Sequence, residues 1–184
     1  MLANGGWRVQ PVLIERITDA RGQVLFEAPR PAALDEAARA VPARNVWLTN
    51  SLLNDVTRVG TAARAQGSLK RSDLYGKTGT TNDGRDVWFI GFSPDLVAGV
   101  YLGFDQPRSL GAKATGGRLS APIFRDFMIE ALKDQPATPF RVPPGVRLVK
   151  VNEKTGERWV AGDEGLAIWE AFKPGTEPTG QQQI

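Results

Sequence analysis

The chain has no histidine and no cysteine. Without histidine it can hold no Ser-His-Asp triad, no imidazole base and no imidazole ligand of its own. Without cysteine it can hold no thiol nucleophile, disulfide or thiolate metal site. No metal and no cofactor is therefore expected. No apolar run approaches the length of a membrane span. The opening residues Met1-Leu2-Ala3-Asn4-Gly5-Gly6 lack the basic and apolar regions of a signal peptide. Charge of either sign is nearly balanced, with 23 basic and 20 acidic residues for a net +3 and no Lys/Arg run, so no nucleic-acid partner is expected. What remains is 184 residues, 41% of them hydrophobic, enough for about one domain with a real core.

Alternation and turn signals predict strands near 7–17, 23–27, 74–81, 87–92 and 96–104. Short turns at Asn82-Asp83-Gly84 and Ser93-Pro94-Asp95 make the last three antiparallel neighbours. Their near-continuous apolar runs read as strands covered on both faces, with Trp88, Phe89 and Phe92 in the core. Pro29 and Pro31 end the first hairpin, and residues 32–44 read as a surface linker. Helical spacing predicts helices near 46–59, capped by Asn45 and closed at Gly60, and near 120–133, capped by Ser120 with Pro122 in the first turn. Residues 60–74 read as loop. Two further short strands are expected at 147–151 and 167–172, and Gln181, Gln182 and Gln183 as disordered. The fold class is α+β, an antiparallel sheet flanked by helices.

The stretch Tyr75-Gly76-Lys77-Thr78-Gly79-Thr80-Thr81 concentrates a cation, two glycines and three threonine hydroxyls. On a strand, Lys77 and Gly79 share one face, and Thr78 and Thr80 the other. Gly79 lets another backbone come close. An edge strand of this kind can accept an extended peptide by strand addition, with Lys77 and the threonine hydroxyls ready for a carboxylate. The same residues also fit an ordinary solvated strand face. Gly76-Lys77-Thr78 does not complete a P-loop, because Arg71 stands where that motif needs glycine. Asn82-Asp83-Gly84 lacks the other acidic positions of a calcium loop.

Lys77-Thr78-Gly79 is also a signature of penicillin-binding proteins and serine β-lactamases. Its context is long. Gly60-Thr61-Ala62, Gly76 through Asp83, Asp86-Val87-Trp88-Phe89-Ile90-Gly91-Phe92, Asp95 through Val100, Gly103-Phe104-Asp105, Thr115-Gly116-Gly117 and Ala121-Pro122-Ile123-Phe124 together resemble the transpeptidase domain of class A penicillin-binding proteins. Leu2-Ala3-Asn4-Gly5-Gly6 is similar to the segment entering a hairpin of that family. The resemblance spans about residues 2–135 and implies a partial β-lactamase/transpeptidase-like fold. It implies a domain part over 1–140 and an extension over 141–184. It also implies peptidoglycan stem peptides ending in D-Ala-D-Ala as substrate, β-lactams as ligands, and the periplasmic side of the bacterial inner membrane as location. By position, Lys77 would supply charge, Thr78 and Thr80 would hold the terminal carboxylate, and Gly79 would admit the substrate. The N–H of Thr80 would be half of an oxyanion hole.

The family's Ser-x-x-Lys and Ser-x-Asn motifs are absent. Ser68 is followed by Lys70 after one residue only, and Ser51 by Asn54 after two. In the family both motifs lie earlier in the domain. The chain therefore reads as the C-terminal part of a DD-transpeptidase domain without its nucleophile, with the upstream half of the domain as a partner. An exposed apolar patch is expected where the nucleophile helix would pack. The alternative is a non-catalytic peptide-binding module that keeps the sheet and its edge.

Overall fold

The computed structural model describes residues 1–30, 33–67 and 69–179. The readings placed on Pro31, Ser68 and residues 181–183 lie outside them. Among the described residues no helix is long and apolar enough to cross a membrane.

The first pair of strands, β1 (Arg16–Thr18) and β2 (Val24–Glu27), is a short antiparallel hairpin. Its turn is closed by Asp19, whose carboxylate accepts from the N–H groups of Arg21 and Gln23 at 2.8 and 2.9 Å. The strand expected over 7–17 is corrected by this arrangement. Only its last two residues enter β1, and Trp7 makes a single bridge to Arg39. Pro11 has no N–H to give a ladder, and it sits in the unpaired stretch.

Helix α1 (Ala43–Arg58) follows, with Pro42 in the N-cap position, so Asn45 is already inside the first turn and caps nothing. Val46 is buried and Val56 packs on the core, whereas Leu52 and Val59 are exposed. The linker expected over 32–44 thus contains the start of α1 and a 3-10 turn at Glu36–Ala38. The loop expected over 60–74 contains a one-turn helix, α2 (Ala63–Gln66).

The central sheet is a meander of β3 (Tyr75–Thr80), β4 (Val87–Phe92) and β5 (Val97–Leu102), in the order β3-β4-β5 and antiparallel throughout. Helix α3 (Ser120–Ala131) lies across one face of it. There Phe89, Phe124, Met128 and Ala121 form the core with Leu74 and Ala62. Gly76 and Gly91 are cross-strand partners, and a Cβ on either would come within 2.6 Å of the Phe89 or Phe124 ring. The two glycines thus make the trough that seats those rings, whose centroids are 4.7 Å apart. Ser120 does not cap α3: it is the first helical residue after Leu119, and its buried hydroxyl has no partner among the described residues.

The other face of the sheet corrects the expectation of double coverage. Trp88, Ile90, Val97 and Tyr101 share it and are 41%, 51%, 59% and 47% exposed. Trp88 is therefore a surface residue, stacked on Tyr101 at 4.6 Å, while Phe89 and Phe92 are buried. Only one end of this face is covered, where Phe140 lies against Tyr75 and Phe92. The last elements, β6 (Arg147–Asn152) and β7 (Ala167–Phe172), form a second antiparallel hairpin, buried at Val149 and Val151, with β7 touching α1.

Candidate functional site

The free edge of β3 follows from its register. The Thr81 N–H donates to the Asp86 carbonyl at 3.0 Å, one step beyond the Thr80–Val87 pair. Hydrogen-bonded and non-bonded pairs alternate along an antiparallel ladder. Gly79–Trp88 and Lys77–Ile90 therefore exchange bonds, and Thr80–Val87 and Thr78–Phe89 do not. The N–H and C=O groups of Thr78 and Thr80 point away from β4, toward a side that no other strand occupies among the described residues. The Lys77 ammonium reaches over this edge and donates to the Thr78 carbonyl at 3.0 Å.

Side chains divide by face. Lys77 and Gly79 lie with Ile90 and Trp88 on the open face, and Thr78 and Thr80 lie on the α3 side. On that side the loop before α3 crosses the strand. The Gly116 N–H donates to the Thr80 hydroxyl at 3.1 Å, and the Thr61 and Thr78 hydroxyls are 3.1 Å apart. Gly116 rests directly on the sheet backbone, since a Cβ there would lie 2.2 Å from the Trp88 carbonyl and 2.8 Å from that of Gly79. Gly116 approaches from the threonine side; on the open face a Cβ at Gly79 would meet only the Trp88 side chain, at 3.3 Å. Between loop and strand opens a cleft of ≈ 390 Å³, lined by Thr61, Arg64, Thr78, Thr80, Thr115, Gly117 and Arg118.

Of the four residues singled out in the sequence, the cleft contains Thr78 and Thr80, while Lys77 and Gly79 stand on the opposite face and reach it only at the strand edge. Thr61, Thr115 and the two arginines had no local signal. Gly60-Thr61-Ala62 and Thr115-Gly116-Gly117 stood out only as parts of a longer resemblance.

The lead into β3 is tied down by side chains from α1. Asn54 donates to the carbonyls of Ser72 and Leu74 at 3.1 and 2.7 Å, and the Thr57 hydroxyl donates to Leu74 at 3.0 Å. Next to it Arg71 forms a two-pronged pair with the buried Asp73 at 2.9 and 2.8 Å. The same guanidinium also donates to the carbonyls of Leu132, Gln135 and Pro136 beyond α3. At the far end of the sheet the Tyr101 hydroxyl donates to Asp86 at 2.9 Å, and that carboxylate raises the phenol above its ordinary value. No group of acidic residues able to hold a metal occurs among the described residues.

The family model of the penicillin-binding protein transpeptidase domain matches residues 1–129 of this chain. The chain belongs to that family. Among curated relatives, penicillin-binding protein 1A of Neisseria lactamica is 43% identical over 146 residues, covering 79% of this chain and 18% of that protein. Penicillin-binding protein 1A of Rickettsia bellii is 40% identical over 191 residues, covering 94% of this chain and 23% of that protein. The chain thus spans about a fifth of the length of these relatives. The crystal structure of penicillin-binding protein 1A from Haemophilus influenzae superposes with a TM-score of 0.83 at 31% identity, over 97% of this chain and 31% of that one.

Proposed function

We propose that this chain is the substrate-holding part of a peptidoglycan DD-transpeptidase domain, which cross-links stem peptides through an acyl-serine intermediate. The serine and its base come from sequence outside these 184 residues. The observation that carries the reading is the edge of β3, where the backbone groups of Thr78 and Thr80 have no strand partner among the described residues and their side chains line a cleft. A peptide ending in D-Ala-D-Ala adds to this edge as a strand. Its terminal carboxylate is held by the hydroxyls of Thr78 and Thr80, and Gly79 leaves room beside it. β-Lactams use the same clamp.

Lys77 supplies positive charge on the nucleophile's side of the strand. To do so it leaves the Thr78 carbonyl, which then accepts from the peptide. The Thr80 N–H donates to the developing oxyanion, a contact worth about 3 kcal/mol in enzymes of this chemistry. Residues 1–140 form the transpeptidase part and 141–184 an extension, and the site works on the periplasmic side of the bacterial inner membrane.

The test is covalent labelling by a fluorescent penicillin. No serine here stands three residues before a lysine, and loss of the nucleophile alone costs about a millionfold in rate. The 184-residue chain is expected to remain unlabelled. The same chain joined to the rest of its domain is expected to label, and Lys77→Ala in that longer protein to lower labelling by ~100-fold or more, the size of one lost electrostatic contact to the oxyanion region. Stoichiometric labelling of the short chain at one of its own serines would overturn the proposal.

A further inference from the structure

The threonine cleft contains two cations that the reaction just described does not use. Arg64, on α2, and Arg118, just before α3, both line it together with Thr78 and Thr80. Both are exposed. Neither forms an ion pair among the described residues. No acidic residue lines the cleft. Other arginines do form ion pairs, as at Arg16–Glu27, Arg39–Glu36, Arg71–Asp73 and Arg147–Glu177, so what marks Arg64 and Arg118 is their place together in one cleft without a carboxylate in its lining. Two unpaired guanidiniums in one concave, hydroxyl-lined space form a region of positive potential that attracts anions. The planar fork of arginine suits a carboxylate in particular.

We propose that Arg64 and Arg118 form a second anion site beside the threonine clamp, so that the ligand preferred here carries two carboxylates. One is the terminal carboxylate at Thr78 and Thr80. The other is a side-chain carboxylate a short distance back along the ligand, taken by the guanidinium pair. This rests on the reading of the threonines as the terminal-carboxylate clamp, and it adds the substrate class: an acidic peptide in place of a neutral one.

The experiment uses the full transpeptidase that contains this chain. Two penicillins are compared, one with a neutral acyl side chain and one bearing a second carboxylate on it, and the ratio of their second-order acylation rates is read. The wild-type ratio is expected to favour the dicarboxylate by about fivefold, the equivalent of about 1 kcal/mol for a partly exposed charge contact. The ratio is expected to fall to about one in the Arg64→Gln/Arg118→Gln double variant and to be partly kept by Arg118→Lys. It is expected to fall in the unmodified protein too at 1 M salt, where the screening length is about 3 Å, a readout that needs no variant to fold.

A wild-type ratio near one, or a ratio that ignores both salt and the double substitution, overturns the second anion site. Thr78→Val separates the two ideas. If it leaves both rates at the wild-type value, the threonine clamp itself is wrong. If it lowers both rates while the ratio ignores the arginines, only the second site is lost.

Discussion

Tyr75 and Tyr101 are the two tyrosines of the chain, so ultraviolet titration of phenol reads these residues and nothing else. Both are raised above the ordinary value of 10.0, Tyr75 by burial and Tyr101 by its hydrogen bond to Asp86. A raised phenol favours the folded state while neutral. That contribution is complete below pH 10 and is lost as the pH climbs through the raised value. Both ionisation steps are expected above 10, and Asp86→Ala is expected to bring the Tyr101 step down while leaving that of Tyr75. Two steps at the free-phenol value would show that neither contact persists in solution. At this scale the pattern of residues was readable where chemistry is local, as in the alternation that sets Lys77 apart from Thr78. It was not readable where a partner decides. Trp88 and Phe89 are adjacent aromatics of similar hydrophobicity, and only the presence of α3 on one side of β4 makes the second buried and the first exposed.

The meander β3-β4-β5 and the helices α1 and α3 could be placed from periodicity because each carries a long, unambiguous run bounded by turn residues. The stretch 7–17 could not. Val9, Val12, Leu13 and Ile14 suggest a strand, yet all are exposed, and Pro11 leaves no ladder for them to join. Composition reports that a segment suits a sheet, not that a neighbouring strand is there to receive it. The clamp between elements was equally hidden, since Arg71 and Asp73 mean nothing until the end of α3 arrives beside them. Asp73 accepts from Arg71 and from the Thr138 N–H, and it is 1% exposed. Asp73→Ala leaves a buried guanidinium unpaired and is expected to lower unfolding free energy by about 3 kcal/mol or more in urea melts. Replacing both residues by apolar ones is expected to recover little, because Arg71 also serves three carbonyls. Full recovery by Arg71→Met/Asp73→Leu would show the carbonyl contacts to be unimportant.

For the whole molecule, the sheet is a slab finished on one side. α3 seals one face, and the other presents Trp88, Ile90, Val97 and Tyr101 to solvent. Relatives more than four times as long have further chain with which such a face can be covered. The isolated chain is expected to bind a hydrophobic dye with a clear rise in fluorescence, and Trp88→Ser with Ile90→Thr to reduce it. A monodisperse monomer that leaves the dye dark would contradict an uncovered face.

The free edge of β3 has a cost as well as a use. A row of unsatisfied donors and acceptors does not distinguish a substrate from the same strand of a second molecule, and such edges are where sheets propagate into aggregates. Lys77 lies in the middle of that row with its ammonium already on the Thr78 carbonyl. Two such edges meeting antiparallel about their centres would bring two ammonium groups together, and like charges oppose that union. The lysine proposed to serve the substrate would thus also act as a gatekeeper, its charge opposing the joining of neighbouring copies at this edge.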